Sequence, residues 1–115
     1  DSNFVKESDL TNNVISVTAN QPFPDSWTTS NGDLDDLISD INNDETATKG
    51  KIYLSTVSLT DLPAGMRQAE LKVEILEDTG KIIFFTITSE DTAPYHWEAT
   101  SAYGRSATWR SFVNN

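Results

Sequence analysis

Four apolar residues in the middle of the chain recur at helical spacing. They fall at positions i, i+3, i+4 and i+7 and share one face of an α-helix: Leu34, Leu37, Ile38 and Ile41. Ser30 is the predicted N-cap, and the acidic residues of the first turn suit the positive end of the helix dipole. Asn42 and Asn43 mark the predicted end. A helix of about three turns is marginal in isolation, so we expect its apolar stripe to pack against the rest of the chain.

Beyond residue 50 the pattern changes to that of β-strands. Residues 70–75 alternate between polar and apolar, which predicts a strand with one face in water. Residues 81–88 carry apolar side chains on both faces, which predicts a central strand or one that a partner covers on both sides. Gly80 is predicted to supply a positive φ in the hairpin before it. In all, about five strands are predicted, at residues 51–58, 69–76, 81–88, 94–100 and 107–113.

These elements predict an α+β fold, a mainly antiparallel sheet with one short amphipathic helix packed on it. We assign this domain to residues 30–115. Residues 1–29 have little periodicity, and Pro22 and Pro24 forbid a helix there, so we predict an extended N-terminal segment or linker. Within that segment, residues 14–17 are apolar enough to form a short strand.

The amino-acid composition excludes several kinds of metal and cofactor site. The 115 residues include no cysteine and one histidine, which excludes a disulfide scaffold, a thiolate zinc site and a multi-histidine metal site. The five glycines are too widely spaced for a phosphate-binding loop. The longest apolar run, residues 82–85, is too short to cross a bilayer. We therefore predict no cofactor, no metal and no membrane insertion.

The net charge of −10 is unevenly distributed. Residues 1–48 carry ten acidic residues and one lysine, whereas residues 49–115 carry eight acidic and seven basic residues. Such an acidic half repels phosphate backbones and anionic membranes, so we expect no nucleic-acid partner. The excess of acidic residues in this half chiefly indicates a face exposed to solvent.

A hydrolase or glycosidase is one functional alternative. His96 and Glu98 alternate along a predicted strand, with Ser101 and Ser106 nearby and Glu90 just upstream. A nucleophile, a base and an orienting acid would have to converge in one cleft. Neither serine stands in a strand-turn-helix elbow, so we favour a non-enzymatic interpretation.

Aromatic residues provide the other candidates. Trp97 and Trp109 lie on adjacent predicted strands and are expected to form a core pair. Tyr103 and Arg105 lie at the tip of a predicted hairpin and are residue types enriched at binding hot spots. We predict that Tyr103, Arg105 and then Trp27 contact a ligand.

Four short motifs follow one another along the chain, a helix opening, a strand, a loop and a closing strand: Asp33-Leu34-Asp35-Asp36-Leu37, Lys49-Gly50-Lys51-Ile52-Tyr53, Leu62-Pro63-Ala64-Gly65 and Trp109-Arg110-Ser111-Phe112. The order of these motifs resembles the knob module of bacteriophage tail fibres and receptor-binding proteins, the pyocin-knob family. The resemblance covers about residues 33–113.

The resemblance implies a non-catalytic module in the virion or outside the cell. Such modules are usually displayed on a homotrimeric fibre, where they space other domains or contact host cell-surface polysaccharide. No catalytic residue is implied. An interaction domain of a bacterial surface adhesin is the remaining alternative.

Overall fold

A computed structural model of the protein describes residues 20–77, 79–90 and 93–111. The strand predicted at residues 14–17, and the first nineteen residues of the predicted linker, lie outside this part of the chain.

The described residues form one helix and one five-stranded antiparallel sheet, which confirms the predicted α+β fold. The strands follow one another in chain order across the sheet, so the third is central, as its apolar residues on both faces predicted. The helix is α1 (Leu34–Asn42), and the strands are β1 (Ile52–Val57), β2 (Ala69–Glu77), β3 (Lys81–Thr88), β4 (His96–Ala102) and β5 (Arg110–Ser111).

The N-terminus of α1 is capped by Asp33, not by Ser30. The Asp33 carboxylate accepts from the Asp36 N–H, and the Asp36 carboxylate accepts in return from the Asp33 N–H, both at 3.0 Å. The Leu34 N–H donates to the carboxylate of Asp61 at 3.1 Å. Ser30 instead forms a parallel bridge with Ser58. The cap prediction was wrong because the helix begins only at Leu34, so the cap position falls on Asp33, three residues after Ser30.

The apolar stripe of α1 lies in the core, as predicted. All four of its residues are at most 2% exposed and belong to one cluster with the inner face of the sheet. Burying each such side chain contributes about 1.5–3 kcal/mol, which offsets the poor stability of a short isolated helix. The inner-face residues buried with it are Tyr53, Val57, Leu71, Val73, Ile75, Ile83, Phe85, Ile87 and Ala99.

The segment before the helix belongs to the domain, so the predicted boundary at residue 30 is too late. Gln21 pairs with Tyr53 along the open edge of β1. Phe23 and Trp27 are 8% and 3% exposed, and their rings lie 5.1 Å apart, centroid to centroid. Residues 20–29 therefore cover the β1 edge and close one side of the core.

The last strand is shorter than predicted. Within the described residues only Arg110 and Ser111 pair with β4, opposite Glu98 and Trp97. Trp97 and Trp109 both pack against the core, and the Trp109 ring meets that of Phe85 edge-on at 6.4 Å. Residues 105–109 run beside β4 without joining its ladder.

Candidate functional site

A strained turn follows β4. Tyr103 and Gly104 both have positive φ, 56° and 80°, and the Arg105 N–H donates to the Ala102 carbonyl at 3.1 Å. Two successive positive φ values characterise the type I′ turns that favour Asn-Gly. A tyrosine pays a steric cost there that glycine and asparagine avoid. Backbone strain of this kind clusters at functional sites.

The ring of Tyr103 lies over the β2–β3 connection. A Cβ atom added to Gly80 would lie 2.6 Å from Cδ1 of the Tyr103 ring. Gly80 itself does not have a positive φ, so the prediction for this glycine was wrong. Its missing side chain instead makes room for the ring. One side of Tyr103 is held in this way, while the residue as a whole remains 48% exposed.

The exposed side of the turn faces the polar side of α1 across an open groove of about 510 Å³. We call this the helix groove. The Ser106 hydroxyl closes one end by donating to both oxygens of the Asp35 carboxylate, at 2.9 and 3.0 Å. The groove is lined by Asp35, Ile38, Ser39, Asn42, Asn43, Tyr103, Gly104 and Ser106.

Two partly buried hydrogen bonds fix the end of α1 that contributes to the groove. The ammonium group of Lys81 donates to the carbonyls of Ile41 and Asp44, at 2.8 and 2.6 Å. A cation at this position also complements the negative end of the helix dipole. The Tyr103 N–H donates to the Lys81 carbonyl at 2.9 Å, so one residue of β3 positions both sides of the groove.

Of the three predicted ligand contacts, the structure places only Tyr103 in the groove. Arg105 is exposed at the same turn but does not line the groove. Trp27 is 3% exposed, and its indole N–H donates to the Asp44 carboxylate at 2.8 Å. The prediction for Trp27 is corrected: it is a buried core residue, and its ring lies 4.6 Å from that of Tyr53, centroid to centroid, at an angle of 57°.

The polar residues of α1 that line the groove were missed from sequence. Their signal was present, because they recur at helical spacing beside the apolar stripe: Asp35, Ser39, Asn42 and Asn43. A solvated helix face has the same pattern. Ser106 and Asp35 are 71 positions apart in the sequence. Only the hydrogen bond between them distinguishes the groove from a solvated helix face.

Two carboxylates near the ends of α1 have shifted pKa values of opposite sign. Hydrogen bonds from the hydroxyl and the N–H of Thr46, and from the Trp27 indole, lower the pKa of Asp44 below its usual 3.8. Burial raises the pKa of Asp61 above 3.8, although the hydrogen bond from the Leu34 N–H opposes this shift.

The residues of the hydrolase alternative are brought together only in part. The His96 imidazole lies 3.4 Å from the Glu98 carboxylate, both on β4. Glu90 lines a different groove, beside Met66 and Arg67, which neither His96 nor Glu98 lines. The Ser101 hydroxyl is buried and donates to the Arg105 carbonyl at 2.7 Å, and the Ser106 hydroxyl donates to Asp35.

No helix in residues 20–77, 79–90 and 93–111 is long and apolar enough to cross a membrane. In the same ranges, no three His, Asp or Glu side chains are grouped so as to hold a metal ion.

Comparisons of the chain with protein-family models, with curated proteins and with solved structures found no match.

Proposed function

We propose that this protein is a non-catalytic binding module that takes a neutral sugar into the helix groove. The groove is open and lined mostly by hydroxyl, amide and carboxylate groups, with one aromatic ring at its edge. Such a lining suits a ligand with many hydroxyls and one apolar face.

The observation that carries the proposal is the conformation of Tyr103. Its φ of 56° costs on the order of 1–3 kcal/mol, a cost that asparagine at the same position would largely avoid. In return the ring is held half-exposed against Gly80, at the edge of the groove. Strain that holds an aromatic ring toward solvent is better explained by ligand binding than by stability.

The charge of the groove favours a neutral ligand. The Asp35 carboxylate lines it, and the chain as a whole carries −10. An anionic polymer would therefore be repelled. The carboxylate can accept hydrogen bonds from sugar hydroxyls, while Asn42 and Asn43 can both donate and accept.

The proposed setting is a phage tail fibre or a similar appendage. The module would be carried there in three copies, outside the cell, and the ligand would be a polysaccharide of the host surface. This part of the proposal depends on the resemblance of residues 33–113 to knob modules. A surface adhesin domain would use the same groove in the same way.

The proposal is tested by replacing Tyr103 in two ways. Tyr103→Ala removes the ring, and we expect weaker binding on a glycan array and in titration calorimetry, with an almost unchanged melting temperature. Tyr103→Asn creates the favoured Asn-Gly turn, and we expect about 1 kcal/mol of added stability together with the same loss of binding.

Tyr95→Ala is the matched control, because Tyr95 is 58% exposed but does not line the groove. The proposal is contradicted if no neutral sugar binds the wild-type protein, or if both Tyr103 variants bind as well as Tyr95→Ala.

A further inference from the structure

The sheet contains a gap between β4 and the chain that returns beside it. β5 pairs with β4 only at Trp97 and Glu98, and the turn between Ala102 and Arg105 joins the two chains again. Between these points, no backbone hydrogen bond joins Thr100 to Thr108 within the described part of the chain. We call this opening, of about 460 Å³, the strand gap.

The hydrogen-bond pattern of β4 directs one backbone amide into the gap. The Ser89 N–H donates to the Tyr95 carbonyl, and the Tyr103 N–H donates to the Lys81 carbonyl. Because an antiparallel ladder alternates, odd-numbered residues of β4 bond to β3 and even-numbered ones face the β5 side. The Ala102 carbonyl, which accepts from Arg105, fits this alternation. Thr100 therefore presents both its N–H and its C=O to the strand gap.

Polar side chains surround that amide on the outer face of the sheet. Glu98 and Arg110 are register partners at one end of the gap, and Thr108 lines it with Thr100. Phe84 is the register partner of Thr100 on β3 and lines an adjoining depression of about 190 Å³. The half-buried Phe84 thus adjoins Thr100 from the β3 side of the gap.

We infer that the strand gap is a subsite for an N-acetylated sugar. The acetamido carbonyl can accept from the Thr100 N–H, and a neighbouring ring hydroxyl can donate to the Thr100 C=O, so the two together replace the groups that a missing strand residue would have offered. The ring hydroxyls of the sugar can bond to Glu98, Thr108 and Arg110. Phe84 provides an apolar surface for the acetyl methyl group or the sugar ring. The volume lies within the range of small-ligand sites, about 300–1,000 Å³.

A sugar fits the gap better than an extended peptide. The gap is closed by the Glu98–Arg110 pair at one end and by the Ala102–Arg105 turn at the other, so one amide fits where a peptide strand needs several. Ser106 lines both this gap and the helix groove, so the two openings adjoin at this residue. The inference rests on the proposed function, since it names the sugar class that the same surface would take.

The test compares two trisaccharides that differ in the acetamido group. We expect triacetylchitotriose to bind about tenfold more tightly than cellotriose, because the latter lacks the carbonyl that accepts from the Thr100 N–H and the acetyl methyl group. In NMR titrations with triacetylchitotriose, the Thr100 amide resonance should shift and its proton should exchange more slowly with solvent.

Thr108→Trp fills the gap and should weaken triacetylchitotriose binding by about tenfold or more. Thr56→Trp is the control, an exposed threonine on the same sheet that does not line the gap.

Several outcomes overturn the inference, and they are separable from failure of the proposed function. Equal affinity for both trisaccharides, with Tyr103→Ala weakening both, leaves the proposed function standing and removes the acetamido subsite. The acetamido subsite is also removed if Thr108→Trp binds triacetylchitotriose as tightly as Thr56→Trp does. A capped tetra-alanine that shifts Thr100 more strongly than the sugar indicates strand addition instead. If neither trisaccharide nor any other neutral sugar binds, the proposed function fails as well.

Discussion

Phe84 and Phe85 are neighbours in the chain, yet they lie on opposite faces of β3 and in different environments. Phe85 is 1% exposed and belongs to the core, where it meets Trp109 edge-on. Phe84 is half-buried on the outer face, beside the strand gap. The apolar stripe of α1 covers only the inner face of the sheet. The inner face of the sheet therefore provides the stability, and the outer face is left partly exposed to solvent.

The largest expected effect distinguishes these two faces directly. Phe85→Ala should destabilise the domain by about 3–5 kcal/mol, because it opens a cavity in the core. Phe84→Ala should cost about 1 kcal/mol, since the side chain is already partly in water. Urea unfolding followed by circular dichroism measures both variants. Equal costs would mean that the outer face is covered and that the contrast between the faces is wrong.

Much of the fold could be predicted because it depends on local periodicity. The period of 3.6 in the helix and the period of two in β2 are set by which side chains must reach one core. Four strands begin and end within two residues of their predicted limits. The closing strand was predicted too long, since strand propensity over residues 107–113 does not reveal that the chain leaves β4 before Arg110.

The parts that could not be predicted depend on contacts between distant residues. Trp27 was predicted to contact a ligand from its residue type, whereas its burial depends on contacts with Asp44 and Tyr53. The helix groove needs Asp35 and Ser106 to meet across the fold. Tyr103 was identified from residue type alone, but its positive φ and its support by Gly80 required coordinates.

A glycine substitution can test the helix groove without opening a cavity in the core. Its expected effect on stability is smaller than that of Phe85→Ala. Gly80→Ala places a methyl group where the Tyr103 ring now lies, so the ring must move. We expect a stability change of less than about 1 kcal/mol, because this ring is half-exposed, but a loss of sugar binding close to that of Tyr103→Ala.

Gly50→Ala gives the matched control for that prediction. Gly50 has a φ of 85° with nothing within 4 Å of an added Cβ, so alanine should cost about 1–2 kcal/mol through backbone strain alone. Binding should remain intact. If Gly80→Ala binds as well as Gly50→Ala, the position of the Tyr103 ring does not matter to the groove.

The smallest expected effect is a dependence of stability on pH, with opposite contributions near the two ends of α1. The pKa of Asp44 is lowered in the folded state by its bonds from Thr46 and Trp27, so its contribution is present above about pH 4 and is lost as the pH falls through the folded pKa. The pKa of Asp61 is raised by burial in the folded state. Its stabilising contribution is therefore present at low pH, where the carboxyl group is protonated, and is lost as the pH rises through the folded pKa.

Melting temperatures between about pH 2.5 and 6 should resolve the two contributions. Asp44→Asn should lessen the loss of stability on the acid side, because the titrating carboxylate is gone. Asp61→Asn keeps an oxygen that can accept from the Leu34 N–H, so its stability relative to the wild type should improve as the pH rises. If the two variants shift the pH profile in the same direction, the environments of the two carboxylates do not differ as the structure requires.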